Sequence, residues 1–151
     1  MSPTVYVLNG PNLNLLGVRE PMLYGTTTLA QVAQRCREVA AELALTSDFR
    51  QSNHEGVLVD WIQEARERAA AIVINPAGLS FRSIPLLDAL KTFDGPVAEV
   101  HVTNIHRRDT LYRQSLVSLA ATGVICGFGA IGYELALRAV ASRLAGAATA
   151  R

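Results

Sequence analysis

A glycine-bracketed segment near the amino end carries the residues best suited to proton-transfer chemistry. It runs from Gly17 to Gly25, follows an apolar strand pattern, and contains Arg19 and Tyr24. Because the segment is longer than most connections between a strand and a helix, it favours a lid or binding loop over a simple link. A phenol can exchange a proton, and a guanidinium can stabilise developing negative charge. We therefore expect this segment, called the arm (residues 17–25), to close over a site; a disordered surface loop is the alternative.

A second candidate lies in the stretch Ala98-Glu-Val-His-Val102. Alternation along a strand places Glu99 and His101 on the same face. Burying a carboxylate or an imidazole is costly unless the group is paired, so we expect the two side chains to interact. A carboxylate beside an imidazole fixes its tautomer and stabilises its protonated form, which suits a general acid. A purely structural Glu–His pair is the alternative.

Hydrophobic periodicity predicts strands that alternate with helices along the whole chain. Such alternation is typical of a parallel α/β sheet. The predicted strands cover residues 4–9, 48–52, 71–75, 97–102 and 124–126. Helices are predicted over 29–43, over about 57–69 after a cap at Ser52-Asn53, from about 83 with Pro85 in the first turn, and over 131–144. The first helix opens with the capping box Thr28-x-x-Gln31.

Ligands of open parallel sheets bind at the carboxyl ends of the strands, where the strand order reverses. Asn12 and Asn75 follow apolar strands, so their side chains are expected to face one crevice. Asn53 and Asn104 are expected to serve as turn or cap residues instead.

Composition limits the possible partners and the cellular setting. The chain has 151 residues, half of them hydrophobic, and a formal net charge of +1, which predicts one catalytic domain over residues 1–151. No apolar run has the length of a membrane span, and the start lacks a signal-peptide pattern, so a cytoplasmic location is expected. The absence of basic clusters argues against nucleic acid or a membrane as partner. Cys36 and Cys126 are isolated and are expected to be buried thiols.

Several common catalytic devices are missing from the sequence. Lys91 is the only lysine and lies in a surface-like stretch, so no amine is well placed for a Schiff base. There is no nucleophile elbow, no phosphate-binding loop and no set of residues at zinc-ligand spacing. The glycines at 127, 129 and 132 match a dinucleotide pattern only by letters. These absences predict acid–base chemistry by Tyr, His and Arg, with no cofactor and no metal.

At these residues the chain resembles the type II 3-dehydroquinate dehydratases, a family that converts 3-dehydroquinate to 3-dehydroshikimate in the shikimate or quinate pathways. The resemblance covers about Val5 to Leu144 and rests on several long motifs in order. They are Leu8-Asn-Gly-Pro-Asn-Leu-Asn-Leu-Leu-Gly17, Arg19-Glu-Pro21, Tyr24-Gly25, Arg50-Gln-Ser-Asn-His-Glu-Gly56, Glu99-Val-His101, Asn104-Ile-His106, Gly123-Val-Ile-Cys-Gly127 and Gly132-Tyr133. It implies a flavodoxin-like three-layer fold with a five-stranded parallel sheet, a closing lid, and assembly as a dodecamer of trimers.

The resemblance also implies a role for each matching residue. Tyr24 would be the base, His101 the acid that protonates the departing hydroxyl, and Arg19 would stabilise charge once the lid closes. The supporting residues are Asn12 for the water or enolate oxygen, Glu99 to orient His101, and Arg108 to keep Tyr24 anionic. The implied substrate-binding residues are Asn75, Asp88, and the backbone after His101 at Val102 and Thr103.

Two positions depart from the family pattern. Phe81 stands where the family usually has His, and Tyr112 stands where it usually has Arg. Arg82 and Arg113 lie one position away and are candidates to take over these contacts with the substrate hydroxyls, with Arg113 as the predicted substrate-binding residue. Two alternatives follow: a dehydratase for another cyclic hydroxyketone acid, and a flavodoxin-like binding or regulatory module without turnover.

Overall fold

Five parallel strands form the central sheet of this computed structural model, which describes residues 1–149. They are β1 (Thr4–Asn9), β2 (Thr46–Gln51), β3 (Ala71–Asn75), β4 (Val97–His101) and β5 (Gly123–Cys126). The strand order is β2-β1-β3-β4-β5, with every neighbouring pair parallel. This is the flavodoxin-like order, in which the direction of winding reverses between β1 and β3. The predicted fold class is therefore confirmed.

Helices cover both faces of the sheet. The α-helices are α1 (Pro21–Tyr24), α2 (Leu29–Glu42), α3 (Glu55–Arg68), α4 (Ile84–Lys91) and α5 (Ile131–Thr149). Alternation along β1 sends Val5 and Val7 into a core with α2 and α5, and Tyr6 and Leu8 into a second core with α3 and α4. The strands are covered on both faces, which explains why β1 and β3 are almost continuously apolar.

Two predicted helix starts have the expected caps. The Thr28 hydroxyl accepts a hydrogen bond from the Gln31 backbone N–H at 3.2 Å, and the Gln31 side chain accepts one from the Thr28 N–H at 2.9 Å. At the start of α4, the Ser83 hydroxyl accepts from the Leu86 N–H at 3.0 Å, and Pro85 occupies the first turn. These local contacts satisfy backbone donors that a helix leaves without partners at its amino end.

Several predicted boundaries were wrong. β2 begins at Thr46 rather than Asp48 and ends at Gln51, because it pairs with β1 along its whole length despite a polar, partly exposed sequence. β4 ends at His101, one residue early, and β5 begins one residue early, at Gly123. α5 continues five residues beyond Leu144, through the alanine-rich stretch that ends at Thr149.

The two cysteines differ in their surroundings. Cys36 is buried in α2, and burial raises the pKa of its thiol to about 12. Cys126 on the edge strand β5 is only half-buried, so the prediction of a buried thiol holds for Cys36 alone. Among residues 1–149, none of the helices is both long enough and apolar enough to cross a membrane.

Candidate active site

A crevice of about 210 Å³ lies at the carboxyl ends of β1, β3 and β4. Most of the predicted site residues line it, although they come from distant parts of the chain. They are Asn12, Arg19, Tyr24, Asn75, His101, Val102, Thr103 and Arg108. Three others do not line it: Glu99 lies behind His101, Asp88 is exposed on α4, and Arg113 is exposed beyond the crevice wall.

Glu99 and His101 on β4 interact as predicted, and both side chains are buried in the core. Glu99 is fully buried and His101 is 5% exposed, and a Glu99 carboxylate oxygen bonds Nε2 of His101. Burial raises the pKa of Glu99, but the hydrogen bonds it accepts, the largest from His101, outweigh burial and leave that pKa below its ordinary value. An ionised carboxylate only accepts hydrogen bonds, so Nε2 carries a proton and Nδ1 is the ring nitrogen that Glu99 leaves free.

Ser118 is a member of this group that the sequence did not reveal. Its hydroxyl donates a 2.7 Å hydrogen bond to the second carboxylate oxygen of Glu99. Ser118 lies in a short 3₁₀ turn, 19 positions after Glu99, in a stretch without a recognisable motif. Its contact depends on the return of the chain to the end of β4, which local patterns do not specify.

Two guanidinium groups lie beside the ring of Tyr24. The central carbon of Arg19 is 5.0 Å from the ring centre, and that of Arg108 is 5.7 Å away. Arg108 also lies 4.1 Å from the ring centre of Tyr112. Arg19 additionally pairs with Glu20 at 3.4 Å, where both side chains are largely exposed. Two cationic groups therefore lie against the Tyr24 ring at the crevice.

The arm has the backbone expected of a movable segment. Gly17 and Gly25 have φ angles of +91° and +81°, in a region that glycine enters more readily than other residues. Between them lies α1, a single turn that begins at Pro21. The Met22 side chain is fully exposed and Val18 is 75% exposed, whereas the half-buried Tyr24 ring packs against the core.

Asn53 has a different role from the one predicted. Its side-chain oxygen accepts a 2.9 Å hydrogen bond from the Asn12 backbone N–H and a 3.0 Å bond from the Gln51 amide. It is therefore not the cap of α3; it holds Asn12, whose φ of +71° is left-handed, at the crevice. Asn104 does cap a short helix, as predicted, by accepting from the His106 N–H at 3.1 Å.

The two residues that depart from the family pattern, Phe81 and Tyr112, form an aromatic wall beside His101. The rings of Phe81 and Tyr112 pack edge to face with centres 5.5 Å apart, and Phe81 lies 6.3 Å from the His101 ring. Arg82 is exposed and does not line the crevice. Arg113 turns back on its own loop, where its Nε donates a 2.6 Å hydrogen bond to the Arg108 carbonyl. Neither arginine takes over a crevice contact in this conformation.

Other chemistry finds little support in the described residues. Residues 1–149 contain no group of three or more His, Cys, Asp or Glu side chains that could hold a metal ion. Lys91 is exposed at the end of α4 and does not line the crevice. The groups that do converge are two phenols, two guanidinium groups, an imidazole with its carboxylate, and two Asn residues.

A family model and individual relatives of this chain point to the same protein family. A family model described as class II dehydroquinase matches residues 3–141. A relative from Mesorhizobium japonicum, named 3-dehydroquinate dehydratase, is 58% identical over 142 residues, which cover 93% of this chain and 99% of that protein. One from Cereibacter sphaeroides with the same name is 54% identical, covering 97% and 99%.

A solved structure agrees with the sequence relatives. The crystal structure of a type II dehydroquinase from Propionibacterium acnes superposes with a TM-score of 0.91 at 44% identity, covering 94% of this chain and 98% of that one. The order of the strands, the residues gathered at the crevice and these matches all lead to one conclusion. The chain belongs to the class II dehydroquinase family.

Proposed function

We propose that this chain is a 3-dehydroquinate dehydratase, which removes water from 3-dehydroquinate to give 3-dehydroshikimate without a cofactor. One observation carries the proposal: the Tyr24 ring with its two guanidinium neighbours and the Glu99–His101 pair meet at the same crevice. A β-elimination next to a ketone needs a base and an acid at one site. The curated relatives that carry this name support the choice of substrate.

In the first step, the Tyr24 phenolate removes a proton from the carbon next to the ketone. The electron pair of the broken C–H bond moves toward the carbonyl, and the ketone becomes an enolate. Arg19 and Arg108 lie against the Tyr24 ring, and their role in this proposal is to balance the negative charge of the phenolate. Asn12 lies at the crevice, where its side chain can donate to the water or enolate oxygen.

In the second step, the enolate collapses and expels the β-hydroxyl. The enolate electrons form the new carbon–carbon double bond as the carbon–oxygen bond breaks, and protonated His101 gives its proton to the leaving oxygen, so that water departs. Glu99 bonds Nε2 of His101 and keeps its ring in place. At the end of the reaction Tyr24 carries one extra proton and His101 lacks one. Transfer of a proton from Tyr24 to His101 through solvent restores the enzyme.

Substrate binding in this proposal involves Asn75 and the backbone at Val102 and Thr103, all at the crevice. Asp88 and Arg113 do not line the crevice of the single chain, so their contact with substrate stays a prediction. The dodecamer of trimers and the cytoplasmic location are likewise proposals that rest on the family resemblance.

The test is a direct assay of the conjugated product. Protein mixed with 3-dehydroquinate should give a rise in ultraviolet absorbance from the new enone, at the same rate with a chelator and with added divalent metal. Tyr24→Phe is the matched control, because it removes one hydroxyl from the crevice. No absorbance rise at any protein concentration would overturn the proposal; saturable binding without turnover would favour the binding-module alternative.

The aromatic wall favours a second candidate substrate, another cyclic hydroxyketone acid. Phe81 offers no hydrogen bond to a ring hydroxyl, so this wall suits a ring edge with fewer polar groups. A site that hydrogen-bonds a hydroxyl rejects the analogue without it by about 10⁴-fold or more, whereas an apolar pocket discriminates by only about 10²-fold. Comparing kcat/KM for 3-dehydroquinate and for a deoxy analogue tests this. A strong preference for 3-dehydroquinate, unchanged in Phe81→His, would exclude the second candidate.

A further inference from the structure

A buried tyrosine links the ends of the two strands at which the sheet reverses. Tyr133, in the first turn of α5, is 1% exposed. Its hydroxyl donates a 2.7 Å hydrogen bond to the side-chain oxygen of Asn9 and accepts a 2.9 Å bond from the side-chain nitrogen of Asn75. Tyr133 does not line the crevice itself, but Asn75 does.

The positions of the two asparagines follow from strand register. Asn9 and Asn75 are directly paired across β1 and β3 at the last position of each strand. Alternation puts both on the face that packs against α5, together with Val7 and Val73. Two neighbouring amides at the end of a covered sheet need hydrogen-bond partners, and Tyr133 supplies one to each.

The direction of every hydrogen bond in this relay is fixed by the backbone at its two ends. The Asn9 side-chain nitrogen donates to the Arg50 carbonyl at 3.0 Å, so its oxygen must face Tyr133. The tyrosine hydroxyl therefore donates to Asn9 and is left only to accept from Asn75. At the far end, the Ala77 N–H donates to the Asn75 side-chain oxygen at 3.2 Å. If the Asn75 amide were flipped, its oxygen would face the Tyr133 oxygen, which can only accept, and its nitrogen would face the Ala77 N–H, which can only donate. Both hydrogen bonds would be lost.

The relay leaves Asn75 with one side-chain N–H that bonds no other group among residues 1–149. Burial raises the pKa of Tyr133, so its hydroxyl keeps its proton throughout the neutral range. The amide that reaches the crevice is thus held by the core as a donor, suited to a substrate oxygen.

We propose that Tyr133 is a positioning residue that locks the Asn75 amide so that its free N–H meets an oxygen of the bound substrate. This inference rests on the proposed function for the identity of that substrate. It assigns Tyr133 no contact with the reacting atoms. Tyr133 is therefore expected to affect substrate binding, and this effect should disappear in a variant whose residue 75 cannot bond its hydroxyl.

The test is a double-mutant cycle. We expect Tyr133→Phe to raise KM for 3-dehydroquinate about tenfold, as loss of one well-placed hydrogen bond does, while kcat changes by less than about threefold. The same substitution made in Asn75→Ala should change KM by less than about twofold, because two residues that act through one contact are not additive. Full additivity, or an unchanged KM in Tyr133→Phe, would overturn the proposal.

A matched control and a second variant separate positioning from general damage. Tyr6 is also a buried phenol, bonded to Glu64 at 2.8 Å on the other face of the sheet, so Tyr6→Phe should leave KM within about twofold. If Tyr133→Phe does not fold, Asn9→Ala keeps the phenol but frees its hydroxyl to donate to Asn75. That variant should raise KM as well, and an unchanged KM would overturn the proposal.

A readout without turnover distinguishes this inference from the proposed function. In the free protein, the Asn75 side-chain proton that bonds the Tyr133 hydroxyl should exchange with solvent, measured by NMR, more slowly in the wild type than in Tyr133→Phe. Equal exchange rates would overturn the relay even if the enzyme is active. A wild type that does not turn over 3-dehydroquinate but shows the difference in exchange would overturn the proposed function and leave the lock on Asn75 in place.

Discussion

The crevice lies between a fixed wall and a loosely attached arm. The wall consists of Asn75, Glu99 and His101 at the strand ends and is distinct from the aromatic pair Phe81 and Tyr112. The candidate acid lies on the wall and the candidate base on the arm. On the wall, Glu99, His101 and Asn75 are at least 95% buried, and each has a hydrogen-bond partner in the core. On the arm, the Arg19 side chain is 41% exposed, and the half-buried Tyr24 ring lies beside two guanidinium groups and packs against the edge of the core. The arm is bracketed by glycines, whereas the wall is formed by strand ends.

This division teaches what each region has to do. Groups that hold substrate and deliver a proton benefit from fixed geometry, which buried hydrogen bonds provide. A base on an exposed segment can instead move aside for the substrate to enter and then exclude water on closing. Variants of the arm should therefore affect turnover without affecting stability, and variants of the wall should affect both.

The largest effect should come from the arm. Tyr24→Phe should lower kcat by about 10³-fold or more, because it removes the proposed base, while a ligand still binds. Arg19→Ala should also lose most turnover. Neither should change the melting temperature by more than about 2 °C, since the Arg19 side chain is 41% exposed and Tyr24→Phe keeps the ring that packs against the core. A variant that melts well below the wild type would show that the arm is part of the core rather than a separate segment.

A wall variant should lose activity and stability together. His101→Ala should lower kcat by about 10²- to 10⁴-fold, the usual contribution of a general acid. It should also reduce the free energy of unfolding by about 1–3 kcal/mol, because buried Glu99 loses a partner. Kinetics and denaturant unfolding measure the two effects. If His101→Ala and Glu99→Gln both keep most activity, the pair is structural.

Closure of the arm should change its sensitivity to protease. Trypsin cleavage after Arg19 should be fast in the free protein and several-fold slower with a bound cyclic enolate mimic, because closure hides the bond. Cleavage after Arg68, whose side chain is 71% exposed at the end of α3, is the internal reference. Equal rates after Arg19 with a saturating mimic would contradict a moving arm.

The smallest effect should be a dependence of stability on pH. The folded-state pKa of Glu99 lies below its ordinary value, because its hydrogen bonds from His101 and the nearby hydroxyls outweigh burial. Its contribution to stability is therefore complete above an unfolded-state pKa of about 4.3 and is lost as the pH falls through the folded-state value. Denaturant unfolding should show a smaller loss below pH 4 for Glu99→Gln than for the wild type. An identical pH dependence would contradict this assignment.

The sequence predicts most of the fold because local patterns and sheet position agree. The apolar runs of β1 and β3, the capping box at Thr28 and the glycines of the arm all have local causes. Boundaries were missed where tertiary contacts decide them. The polar strand β2 is stabilised by pairing with β1 along its whole length. Its own amino-acid sequence does not predict that pairing.

The site was predictable where residues share an element and hidden where they meet through the fold. Glu99 and His101 lie two positions apart on one strand, so alternation alone placed them together. Ser118 and Tyr133 reach the same region from 19 and 58 positions away from Glu99 and Asn75. Ser118 lies in no recognised motif, and the Gly132-Tyr133 motif marks Tyr133 without indicating its contact with Asn75. The same reason explains Asn53, which looked like a helix cap and instead holds Asn12.

The division of labour between Tyr24 and His101 is tested most directly by hydrogen exchange of the substrate in heavy water. With His101→Ala, the arm base is intact, so 3-dehydroquinate should gain deuterium next to its ketone faster than it loses water. With Tyr24→Phe, neither exchange nor dehydration should occur above the uncatalysed rate. Exchange that persists in Tyr24→Phe, or dehydration by His101→Ala close to the wild-type rate, would contradict the assignment of base to the arm and acid to the wall.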